Sequence, residues 1–298
     1  MRVDPLRVRR ALSLFVSSVP DCILCTSLEG LGAELGNMSA SIGRVPDLPE
    51  ALLKQIGQAK ALSGSISYAA RRFTDLLMRL QEIEWKKDTL AYDPTQDAFD
   101  LVSDPTANRW RMFMALAVKD FHVDVGSLMD ALGAVVIQGG AGGLKNKNRT
   151  SLPGWADIQS GTKRSYRTRL PSNLLIIVDD ADEWWPAVKK VRDLLTHRDH
   201  EKIIFGHPSE GLLFQVYDRS MFPKIALPAI TFRTQGRVVD FGLYSALVLS
   251  ELITLLDDIG RVLCPMVGVN PDRASTMCLR GIPEAVYRSI ERLLTLVS

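Results

Sequence analysis

Leu174-Leu175-Ile176-Ile177-Val178-Asp179-Asp180 is the stretch on which the fold turns. Five apolar residues ending in two carboxylates suit a buried strand at the centre of a parallel sheet. They also suit a buried run that ends in a helix cap within a helical bundle. A run this short does not separate the two by its own periodicity, so its flanks decide.

Downstream, Asp182 precedes a helix with Pro186 in its first turn, where the missing N–H costs little. Trp184, Val188, Val191 and Leu195 recur at i, i+4, i+7 and i+11 and share one side of it. The chain leaves that helix between His200 and His207. Leu212 to Tyr217 and Ala229 to Phe232 read as strands, with Arg237 to Asp240 a third beyond a Gln235-Gly236 turn. Asp240 is placed to cap a long helix from Phe241 to Leu263, and a last helix spans Pro283 to Leu296.

Upstream, the first 87 residues read as helices. Leu12, Phe15, Val16 and Val19 recur at helical spacing until Pro20, and a helix restarts at Leu48 with Pro49 near its first turn. Ile66, Ala69, Ala70, Phe73, Leu76, Leu77 and Leu80 form an amphipathic stripe. Asp88 to Asn108 is a connection, and a second long helix runs from about Arg109 to Ile137 with Trp110, Phe113, Leu116, Phe121, Val125 and Leu128. Gly139-Gly-Ala-Gly-Gly143 then opens a basic loop carrying Lys145, Lys147, Arg149, Lys163, Arg164, Arg167 and Arg169. It offers backbone and cations to a polyanion, or it is a solvated connector. Leu174 to Asp180 resembles the magnesium-holding strand of P-loop NTPases. The loop lacks the Gly-Lys-Ser/Thr of a phosphate cradle, which leaves that resemblance without its partner.

The expected fold is therefore mainly α: a helical bundle with a small β-hairpin inserted between the helix that ends near His197 and the long C-terminal helix. Composition supports a division into a helical region over 1–140, a Gly-rich basic connector over 141–171 and a second helical region over 172–298. At 46% apolar and 23% charged residues the 298-residue chain has an ordinary globular composition. A net charge of +2 excludes the broad field of a histone-like binder and leaves any nucleic-acid contact to a local patch.

Of four cysteines only Cys22 and Cys25 have metal or redox spacing, and no second pair matches them. They are expected on a helical segment as buried thiols, which points to a reducing compartment. Arg9-Arg10 before Ala11 to Phe15 reads as a first core helix rather than an export signal. No run approaches the roughly 20 apolar residues of a membrane span, so the expected place is the cytoplasm.

Residues able to do chemistry concentrate between Arg192 and His207. His197, His200 and His207 are interleaved there with Arg192, Asp193, Arg198, Asp199 and Glu201. Histidine titrates nearest neutrality and serves as general acid or base, while arginine grips phosphate oxygens through paired N–H groups. Together they suffice to cleave RNA without a metal. An imidazole takes the 2′-hydroxyl proton, an acid protonates the leaving oxygen, and guanidinium stabilises the phosphorane. At about 100° per residue from Trp184, Arg192 lies near 80° and His197 near 220°, so His197 faces away from the apolar stripe. The two are about 140° apart on one helix. A long arginine leaning over, a loosened last turn or a symmetric dimer would bring such groups to one groove. The same residues also read as an ordinary solvated helix end, with His complementing the dipole. His197 and His200, three apart, could instead share a divalent metal with His207 or a neighbouring acid.

Val191-Arg192-Asp193-Leu194-Leu195-Thr196-His197 resembles the signature of the HEPN superfamily, the higher eukaryotes and prokaryotes nucleotide-binding domain. That signature is Arg, a polar residue, a few variable residues and His, late on a helix. The resemblance covers 172 to 263, with a tryptophan-bearing helix before the motif and a hairpin and long helix after it. It implies a helical bundle that dimerises into a metal-independent ribonuclease site, with no cofactor. Arg192, Asp193 and His197 would be catalytic, and Arg198, Lys145, Lys147 and Arg149 would bind RNA. Family members act as toxins or in phage defence, beside an antitoxin or regulatory partner, and some have lost catalysis and serve as interaction modules.

Overall fold

A computed structural model describes residues 4–15, 22–42, 48–89, 105–141, 153–159, 166–197, 204–207, 211–215, 231–232, 238–270 and 279–297. Within them the helices are α1 (Pro5–Ser13), α2 (Ser27–Ile42), α3 (Glu50–Thr89), α4 (Pro105–Gly140), α5 (Ser172–Asp182), α6 (Trp185–His197), α7 (Phe241–Met266) and α8 (Glu284–Val297). The strands are β1 (Cys22–Leu24), β2 (Ile204–His207), β3 (Gly211–Gln215), β4 (Thr231–Phe232), β5 (Val238–Asp240) and β6 (Leu279–Ile282). The fold is the expected helical bundle. Its insert between α6 and α7 is an antiparallel sheet in the order β2-β3-β5-β4, begun by the β2–β3 hairpin that pairs Ile204 with Phe214 and His207 with Gly211.

The deciding stretch is helical. Leu174, Ile177, Val178 and Ala181 are buried along α5, at the spacing of one helical face. Asp179 and Asp180 lie outside the core, where they pair with Arg167 at 2.5 Å and Arg7 at 3.1 Å. No strand forms there, so the magnesium-holding reading of these acids falls.

At the centre lies α7. The Asp240 side chain caps it by accepting from the Leu243 N–H at 2.8 Å. Its first ten residues carry no charge, and most of its length is buried. Farther along, Glu251 and Asp257 are buried too, and α1 supplies their countercharges. Arg7 bonds Glu251 at 2.7 Å, and Arg10 bonds Asp257 at 2.8 Å and Asp258 at 2.6 Å. The Ser27 N–H and hydroxyl donate to Asp257 at 3.0 and 2.7 Å, and Arg261 donates at 2.8 Å. Burial alone would raise the Asp257 pKa, but these hydrogen bonds hold it below the ordinary carboxylate value.

Four sequence expectations change. The N-terminal helix is capped by Asp4 and ends at Ser13, while Phe15 bridges Leu24 instead of continuing the helical stripe. The Leu48 and Ile66 segments are one 40-residue helix, α3. Cys22 to Leu24 is a strand, not a helix, because it pairs antiparallel with β6 some 250 residues later, a contact no local pattern carries. Cys25 is disulfide-bonded, so the buried-thiol reading fails there, and the reducing compartment loses that support; Cys264 is a buried free thiol. Burial pushes the Cys264 thiol up to about 11. Among the described residues no helix is long and apolar enough to cross a membrane.

Candidate functional site

Helix α6 carries the Arg192 to His197 segment, and its sequence places it against α4. Trp184 and Trp185 meet edge to face at 6.2 Å just before and at its start, and Val188, Val191 and Leu195 are buried along it. The stripe read from the sequence is thus the packed face. Arg192 sits on the shoulder of that face. Its side chain is 27% exposed and its guanidinium is held by the neighbouring carboxylate: Nε and Nη2 donate to Asp193 Oδ1 at 3.0 and 2.8 Å.

The remaining nitrogen, Nη1, lies over α4 at Gly126. A Cβ built on that glycine would stand 2.7 Å from Nη1 and 3.0 Å from Cδ of Arg192. Sequence reading passed over Gly126, although a glycine inside a long helix costs helical stability and is a signal of close approach. The helix does not loosen before the motif ends. Thr196 Oγ1 donates back to the Arg192 and Asp193 carbonyls at 3.0 and 3.1 Å, and α6 remains helical through His197. Arg192 and His197 therefore keep their helical separation, about 140° around the axis.

The other proposed positions divide in two groups. The side chains of His197 and His207 lie outside the described residues, as do Arg198, His200, Lys145, Lys147 and Arg149. Arg167 and Arg169, counted with the basic loop, are committed internally. Arg167 donates to the Ile158 carbonyl at 3.1 Å and pairs with Asp179, and Arg169 donates to the Ala141 carbonyl and covers the Tyr166 ring. They join the connector to the bundle and are not free for a polyanion.

The fourth histidine is part of the core. The Val118 carbonyl can only accept, so His122 Nδ1 carries a proton toward it at 2.7 Å, and Nε2 accepts from the Tyr244 hydroxyl at 3.0 Å. Burial lowers its pKa to about 4, which makes it a neutral link between α4 and α7 rather than a general base.

The apolar first half of α7 predicts a homodimer face at Leu243, Tyr244 and Leu247, but all three are buried within the chain. The sequence shows that α7 is apolar on more than one side; the reason is that α1, α2, α5 and α8 surround it. No protein-family model, curated protein or solved structure matches this chain, so the site stands on its own geometry.

Proposed function

We propose that the protein is a metal-independent endoribonuclease of HEPN type, working in the cytoplasm, with Arg192, Asp193 and His197 at the end of α6 as its catalytic groups. The observation that carries this reading is the Arg192 guanidinium. It is held by two N–H groups that both donate to Asp193 Oδ1, yet keeps part of its surface in water beside α4. A preorganised cation of this kind stabilises a phosphorane without having to be ordered during the reaction. His197 would take the 2′-hydroxyl proton. Because α6 stays helical, one copy keeps Arg192 and His197 on different sides, which favours a composite site across a homodimer. Arg198, Lys145, Lys147 and Arg149 would hold the RNA backbone, and the biological setting would be a toxin or phage-defence role with an antitoxin or regulatory partner.

A second reading has its own observation: the Arg192 guanidinium already has a carboxylate partner in Asp193. On that reading the segment is vestigial and the chain is a helical interaction module.

Incubating the purified protein with mixed RNA in EDTA decides between them. The expected outcome is cleavage that survives chelation and leaves 2′,3′-cyclic phosphate ends. Arg192→Ala and His197→Ala should each lower the rate roughly 100- to 1,000-fold, with little change in thermal stability. His200→Ala and His207→Ala should do much less. Cleavage that EDTA abolishes would favour a metal-binding hydrolase built on His197, His200 and His207. A well-folded protein that cleaves no RNA would leave the interaction module.

A further inference from the structure

We infer that Gly126 is a positioning residue: its lack of a side chain makes the seat on α4 that aims the Arg192 guanidinium. The inference rests on the ribonuclease reading for its catalytic meaning, while the seat itself is a matter of geometry.

Gly126 is buried in the middle of α4, with normal helical backbone, so no turn or unusual dihedral calls for glycine there. What calls for it is space. Any Cβ would come within 2.7 Å of Nη1 and 3.0 Å of Cδ of Arg192. Val125 and Leu128 on the same turn are fully buried, which holds this part of α4 against the core and leaves the arginine as the group that must yield. Its far end is flexible, so an added methyl would move the guanidinium instead of unfolding the bundle. The two restraints are complementary. Asp193 takes Nε and Nη2 from the side of α6, and Gly126 fixes where Nη1 comes to rest. Losing the seat would leave the positive charge in place and remove its aim.

The test uses the full-length protein and Gly126→Ala, with Gly64→Ala as control, because a Cβ at Gly64 of α3 meets nothing within 4 Å. Alanine is the better helix former, so both variants should keep or slightly raise the melting temperature. The first readout is the arginine Nε–Hε resonance in 15N spectra, assigned to Arg192 by its loss in Arg192→Lys. In the wild type and in Gly64→Ala it should show slow solvent exchange, and in Gly126→Ala it should shift and exchange roughly tenfold faster or more as the charge-assisted bond loosens. The second readout is RNA cleavage. Gly126→Ala should reduce kcat about tenfold or more with KM little changed, the pattern of an interaction made mainly in the transition state. An unchanged Arg192 resonance and exchange rate in Gly126→Ala would overturn the inference. So would a shifted resonance with unchanged kcat. If the wild type cleaves no RNA, the ribonuclease reading fails by itself, and the resonance still decides whether Gly126 seats the arginine.

Discussion

His122 is a residue whose ionisation the fold resists. Its folded pKa is about 4 against an ordinary value of 6.5, because burial disfavours the imidazolium. The unfolded chain therefore binds one more proton between those values, and the stability contributed by the neutral ring is complete above pH 6.5 and is lost as pH falls toward 4. The full difference corresponds to about 3 kcal/mol. Glu251, Asp124 and Asp258 have carboxyl values raised by burial and pull in the opposite direction, gaining stability as they protonate. The comparison must therefore be made by difference. Urea unfolding of wild type and His122→Gln between pH 7 and 4 should show the wild type losing up to about 3 kcal/mol more than the variant. Parallel pH profiles for the two proteins would mean that His122 is protonated in the fold without penalty. Arg192 poses the complementary case at this scale, since its chemistry was legible from residue type while its orientation depends on Asp193 and Gly126.

Element crossings are set by small residues in the same way. Where α7 passes the start of α2, a Cβ on Gly260 would meet the backbone of Ser27 and Leu28. Where α4 passes the 3-10 turn Trp155–Asp157, a Cβ on Gly133 would meet the backbone of Gly154 and Trp155. Backbone cannot swing aside as the Arg192 side chain can. Gly260→Ala should thus destabilise the protein by about 1–3 kcal/mol despite alanine's better helix propensity. Gly57→Ala, on an open stretch of α3, should stabilise it by about 0.5–1 kcal/mol. Denaturant midpoints at unchanged m-value give both numbers, and a destabilised Gly57→Ala or a stabilised Gly260→Ala would contradict this account of the crossings.

For the molecule as a whole, burying α7 moves the question of assembly to another surface. Met112, Leu116 and Val123 on α4 are 45%, 42% and 38% exposed. At about 100° per residue they fall within about 40° of one another, and Gly126 borders the same strip. A second copy lying along it would reach the Arg192 seat, which is what a composite site requires. Sedimentation at micromolar concentration should give a dimer. Leu116→Glu should give a monomer of unchanged melting temperature and greatly reduced RNA cleavage. A wild type that is monomeric and cleaves RNA would separate the activity from dimerisation.

Period and capping were enough to determine the class of fold. The α6 stripe, the Asp240 cap, the β4–β5 hairpin and the helical stripes of α3 and α4 are local patterns, and local hydrogen bonding satisfies them wherever the chain goes. The Arg192 and His197 spacing was legible for the same reason, because a helix fixes its own angles. Tertiary structure alone decided that Leu174 to Val178 is helical, since five apolar residues satisfy a buried strand or a buried helix equally and only the neighbours choose. It paired Cys22 to Leu24 with β6 and brought Arg7 and Arg10 to Glu251 and Asp257, contacts between residues some 240 to 260 positions apart. It also showed what covers α7 and what Gly126 makes room for. Hydrophobic periodicity says which side of a helix must be buried; which element does the burying depends on long-range packing that no sequence window contains.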